Sequence, residues 1–301
     1  MNPLPASAPE IDILAFIDES GARGYSRNLT PARDHELGLV CALLFPALSV
    51  KEFRDAFRPG YQLFLDAMPD GAKLHITDAF ASGNERWAAV AHSVRSEFQG
   101  LIRRLEIPVI FEARRLAVER DAHEQREDMV SRAKAIRRSP VRIPDRPSRS
   151  TVEEQLVFGL ALKLDAFCED AQCRGVDLMF DELDAKVAQR YEDAINRTRN
   201  IGRSTRRVKG WNPKTKSCVE GQISFRADAP FPLNTRFLGH LCVAGKQDPL
   251  ILATDIVANS LYDHLVGLPA TAYLNRPQSI AGWELEHRIY GARDDAIEDI
   301  F

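Results

Sequence analysis

The sequence predicts an α/β fold, a mixed sheet flanked by helices, and three observations carry that prediction. Short apolar runs rich in β-branched residues recur at 11–18, 37–46 and 176–180, each closed by a turn signal. Stretches with helical spacing lie between and after them, most clearly at 85–105, 151–173 and 249–266. The alternation lacks a strict strand–helix–strand rhythm, so the sheet is expected to be mixed rather than wholly parallel.

The first element is Ile11–Asp18, a strand with apolar residues on both faces, ending in Glu19-Ser20-Gly21. A long turn separates it from a second buried strand, Leu37–Pro46. Val50–Met68 has near-helical spacing through Phe53, Phe57, Leu63 and Phe64, with Pro59-Gly60 expected to break or kink it. A loop carries Lys73 to Asp78. Glu85–Leu105 is a helix, Ile107–Glu112 a strand and Leu116–Ile136 a polar helix. Arg137–Ser150 holds three prolines and reads as an exposed loop. Thr151–Cys173 opens on Thr-Val-Glu-Glu, a capping-box pattern, and continues as a helix. Val176–Phe180 is a strand closed by Asp181-Glu182. Leu183–Arg199 is a helix with Asp184 as its N-cap. Val219–Phe225 is a short strand, and Pro249–Val266 an apolar helix interrupted by Asp255.

The chain has 301 residues, 45% of them apolar, which suits one elaborated domain with a sizeable core. The expected division is a tail at 1–10, a single domain at 11–290 and an acidic tail at 291–301. Basic insertions are expected at about 131–150 and 197–216. The net charge of −3 does not announce a nucleic-acid binder, but its distribution is uneven. Residues 131–150 hold seven basic side chains and one acidic, and residues 197–216 hold eight basic and none acidic. Five cysteines without a CxxC pair argue against a disulfide framework or zinc knuckle and for a reducing cytoplasm. The N-terminal residues lack the pattern of a secretory signal, and no apolar run is long enough for a membrane span, so neither is expected. Walker, GxGxxG, HExxH and GxSxG motifs are absent. Their absence disfavours a nucleotide-driven motor, a dinucleotide oxidoreductase, a zinc protease and an α/β-hydrolase.

Three carboxylates stand where carboxylates are costly. Asp18 and Asp181 close buried strands, and Asp255 sits in LILATDIVAN among apolar neighbours. A charge there costs several kcal/mol, roughly, unless neutralised or coordinated. Convergence on a divalent cation is one economical answer, and oxygen ligands select Mg2+ or Mn2+. Two such ions support in-line phosphoryl displacement. Taken singly, the first two sites also read as a turn and a helix cap, and Asp255 as the partner of a buried arginine or hydroxyl.

Four segments in order, FIDESG at 16–21, KLHITD at 73–78, DLMFDE at 177–182 and KQDPLILATDIVA at 246–258, resemble the bacterial domain-of-unknown-function family 3800. The resemblance covers residues 11–266 and implies a ribonuclease-H-like fold and a metal-dependent nuclease. It implies a catalytic set of Asp18, Glu19, His75, Asp181 and Asp255, with metal held by Asp18, Asp181, Glu182 and Asp255. His75 would serve the phosphate or a proton. The chain departs from the family where Lys73 replaces a usual glutamate, leaving Asp78 as the nearby acid, and where LILATD replaces LQxAD. Arg203, Arg206, Arg207, Lys209, Trp211 and Lys246 form the expected nucleic-acid contacts, the first five on a flexible basic loop. DNA and RNA are not distinguished. Defence against phage or mobile DNA suits such a nuclease. An inactive nucleic-acid-binding or scaffolding protein and a small-nucleotide phosphohydrolase are the alternatives. A protein partner and the oligomeric state stay open.

Overall fold

The fold is taken from a computed structural model. It describes residues 12–21, 36–117, 121, 124–125, 128, 152–199, 203–212, 215, 217–226, 235–245, 247–275, 279–280 and 283–284. The expected tails, the 131–150 insertion, most of the 116–136 helix, the Thr151 cap and Lys246 lie outside those residues.

A five-stranded mixed sheet organises the molecule. Its strands are β1 (Ile13–Gly21), β2 (Leu37–Pro46), β3 (Val109–Arg115), β4 (Val176–Phe180) and β7 (Leu238–Val243), in the order β3-β2-β1-β4-β7. β1, β2 and β3 are antiparallel neighbours, whereas β1 with β4 and β4 with β7 are parallel. Strand alternation then divides the core in two. Phe16 of β1, with Leu39, Cys41, Leu43 and Phe45 of β2, faces one side. Ala15 and Ile17, with Val40, Ala42 and Leu44, face the other.

On the Phe16 side lie α1 (Val50–Ala67), α2 (Ile76–Ala81), α3 (Glu85–Arg104) and α6 (Pro249–Val266). α6 rests on β1 and β2 and is covered by α1 and α3, so nearly all of its residues are buried. That explains its continuous apolar run, since a helix enclosed on all sides has no polar stripe. The opposite side is covered by α4 (Val152–Asp170) and α5 (Ala185–Thr198). Each fully buried large side chain, such as Phe45, Phe57 or Phe98, contributes about 1.5–3 kcal/mol through removal from water.

Several expectations are corrected. α1 runs unbroken through Pro59. Pro59 and Asp55, whose carbonyl the proline leaves without its helical donor, both lie on the exposed face. Gly60, on the buried face, lets the Phe98 ring approach closer than any Cβ would permit. Residues 76–81 form a helix where a loop was expected. β1 and β3 each extend three residues beyond their predicted ends. The basic stretch is not a flexible loop. Residues 203–212 form β5, paired antiparallel with β6 (Ser217–Arg226) in a hairpin. Short pairings of 279–280 with 283–284, β8 and β9, complete the strands described.

Candidate carboxylate site

Two strand ends and one helix build the site. β1 pairs with β4 only from Ile13 to Ile17, because β4 stops at Phe180. Asp18 and the residues after it therefore pair on one side alone, with β2. The sheet opens at the carboxyl ends of two parallel strands, where α/β sheets commonly bind ligands.

Alternation sends Asp18 to the same face as Phe16, and Asp181 to the face of Met179, both toward α6. Asp255 reaches down from α6. Asp18 and Asp255 are buried, with 7% and 8% of their surface exposed. Their carboxyls lie within hydrogen-bonding reach of each other, and both feel the charge of Asp181. Burial, then the neighbouring Asp255, hold the Asp18 carboxyl well above the usual carboxylate range. Burial also raises Asp255, opposed by three groups: the Ile76 N–H, His75 and the hydrogen bond with Asp18. Two carboxylates this close in a buried site oppose each other's ionisation, which favours their protonated forms when no cation is bound.

The segment before α2 secures the third acid. Ile76 N–H donates to Asp255 Oδ2 at 2.7 Å. His75 Nδ1 stands 3.9 Å from the same oxygen, half-buried, at the N-cap of α2. The KLHITD segment thus meets the α6 aspartate across 179 residues of chain. Lys73 is exposed, and Asp78 lies in the first turn of α2. At the far end of β1, Gly21 adopts φ +83° and abuts Tyr262 of α6 and the Leu37 carbonyl. Both the conformation and the crowding exclude a side chain there.

The other predicted site residues fall elsewhere. Glu19 alternates to the α4 side of the sheet and does not join the three aspartates, although its charge still reaches Asp18. Glu182 is exposed, one residue beyond Asp181. Asp184 caps α5 as expected, accepting from the backbone of Lys186 and Val187. Arg203, Arg206, Arg207, Lys209 and Trp211 lie on β5, where only the backbone is described. Their register sets Arg203, Arg207 and Lys209 opposite Arg226, Gln222 and Glu220.

The donor set suits a hard divalent cation. Asp18, Asp181 and Asp255 offer carboxylate oxygens, and Asp181 Oδ1 is buried with no hydrogen-bond partner. A buried acceptor left unpaired costs about 1–3 kcal/mol, which a cation would remove. Among the described residues, no group of three or more His, Cys, Asp or Glu stands in a metal-binding arrangement.

The sequence reading missed three features. Glu112 and Lys163 form a buried ion pair at 3.0 Å, signalled only by a lysine inside LVFGLALKLDAF. The backbone N–H of Ile76 holds Asp255, which no side-chain pattern announces. Asn259 lies buried one turn after Asp255. Among the described helices none is long and apolar enough to cross a membrane. The chain finds no match among protein-family models, curated proteins or solved structures.

Proposed function

We propose that this protein is a metal-dependent nuclease of ribonuclease-H-like architecture that hydrolyses nucleic-acid phosphodiesters with Mg2+ or Mn2+. The observation that supports this reading most is the meeting of Asp18, Asp181 and Asp255 on one face, at the open carboxyl ends of β1 and β4. The strand order, with three antiparallel strands followed by two parallel ones, is compatible with the ribonuclease-H-like layout.

Asp18, Asp181 and Asp255 would hold the metal. Bound there, it would activate a water and stabilise the leaving oxygen of a phosphodiester. The chain supplies the rest. The Ile76 N–H orients Asp255, and burial excludes bulk water from the Asp18–Asp255 pair. His75 sits beside Asp255 and is suited to hold or move a proton near the reacting phosphate. The β5–β6 hairpin, dense in arginine, would escort phosphates toward carboxylates that otherwise repel them.

The test is cleavage of labelled single- and double-stranded DNA and RNA with Mg2+ or Mn2+. Wild-type protein should cut at least one of these, and Asp181→Asn should not. Failure to cut any of them with either metal, or full activity in Asp181→Asn, contradicts the reading.

A further inference from the structure

α6 carries four buried polar residues, Thr254, Asp255, Asn259 and Ser260. Three have partners. Thr254 donates to the Leu250 carbonyl at 2.8 Å, Ser260 donates to the Ile256 carbonyl at 2.6 Å, and Asp255 accepts from Ile76. Among the described residues, Asn259 has no hydrogen-bond partner, although only 7% of its surface is exposed. The body of the side chain is buried while its carboxamide, with two donors and an acceptor, still meets solvent.

Its position follows from the packing of α6 on β1. Asp255 meets Asp18, and seven residues later Tyr262 meets Gly21, three residues after Asp18. Seven helical residues rise about 10.5 Å and three strand residues about 10 Å, so helix and strand run side by side in one direction. Asn259 follows Asp255 by one turn, on the same helix face. It is therefore level with Ser20, along the stretch of β1 that has lost β4 as a neighbour.

We propose that Asn259 is a substrate-contacting residue of the carboxylate site, its amide hydrogen-bonding a phosphate oxygen of the nucleotide next to the scissile bond. This rests on the nuclease reading. A carboxamide meets that oxygen without adding a fourth negative charge beside Asp18, Asp181 and Asp255. In the free protein water meets the amide, and the substrate oxygen takes its place.

Anisotropy of a fluorescein-labelled 12-nucleotide DNA and RNA, in Ca2+ to allow binding without turnover, tests this on wild type, Asn259→Leu and Asn259→Ala. One lost hydrogen bond to a charged oxygen should weaken binding about tenfold. Calorimetric Mg2+ affinity should stay as in wild type, and Asn259→Leu should melt no lower, since no hydrogen bond within the protein is lost. Asn259→Ala guards against a leucine that does not fit. Unchanged oligonucleotide binding in both variants overturns the proposal and leaves the nuclease reading standing. Loss of Mg2+ affinity makes Asn259 a metal ligand and overturns the substrate role. A wild type that binds neither oligonucleotide nor Mg2+ overturns both readings.

Discussion

The two faces of one sheet bury carboxylates in opposite ways. On the α4 face, Glu112 of β3 is met by Lys163 Nζ at 3.0 Å and by Arg114 Nε at 3.4 Å, and Lys163 also donates to the Phe111 carbonyl. Gly159 makes room for the glutamate, since any Cβ there would strike its carboxyl. On the α6 face, three aspartates share one region, with His75 as their basic neighbour. One face carries its own cations, and its acid is part of the scaffold. The other leaves its acids to a proton or to an ion from outside. Buried charge alone therefore does not mark a functional site. What distinguishes the two is whether the fold supplies the counter-charge.

Removing the counter-charge on the scaffold face should produce the largest effect. Lys163→Met strands Glu112 in the core and should cost about 3–5 kcal/mol in a denaturant titration. A loss below about 1 kcal/mol would mean that Arg114 suffices, and the contrast between the faces would weaken.

A smaller effect of opposite sign is expected on the α6 face. Asp255→Asn in metal-free protein removes like-charge repulsion while keeping an acceptor for the Ile76 N–H. It should stabilise by on the order of 1 kcal/mol at neutral pH. Asp18 and Asp255 titrate above their unfolded values. Their favourable contribution is therefore complete below about pH 4 and is lost as pH rises through the raised values. The gap between mutant and wild type should open from about pH 4 toward neutrality and close in acid. Thermal melts across that range in chelator decide. A mutant less stable at every pH would show that Asp255 is structural.

The same contrast explains how far the sequence could be read. Asp18 and Asp181 were visible because an acid at the end of an apolar run is costly anywhere, and Asp255 because it interrupts LILATDIVAN. That they share a face depends on strand register, which no single segment encodes. Glu19 illustrates the limit, since adjacency to Asp18 in sequence places it on the opposite face of a strand. Pro59 suggested a break because its local cost was legible, whereas the packing of Phe57, Tyr61 and Phe64 that overrides it is tertiary. The β5 strand was hidden because charged residues mask the alternation that would mark it. β7, six residues long, carries too little pattern to separate from a loop. Glu112 and Asn259 needed the fold, because burial of a lone polar residue becomes visible only once its neighbours are assembled.

The central claim is that the α6 face holds its acids for a divalent cation. Calorimetric titration of Mg2+ near neutral pH, in two buffers of different ionisation enthalpy, tests it most directly. Wild type should bind Mg2+ and release a proton, because coordination favours the ionised forms of Asp18 and Asp255, whose burial favours the protonated ones. At a hundredfold excess over Kd, stability should rise by about 2.7 kcal/mol. Asp18→Asn should lose both the binding and the proton release. Wild type without Mg2+ uptake, or Mg2+ binding that Asp18→Asn leaves intact, would contradict the account.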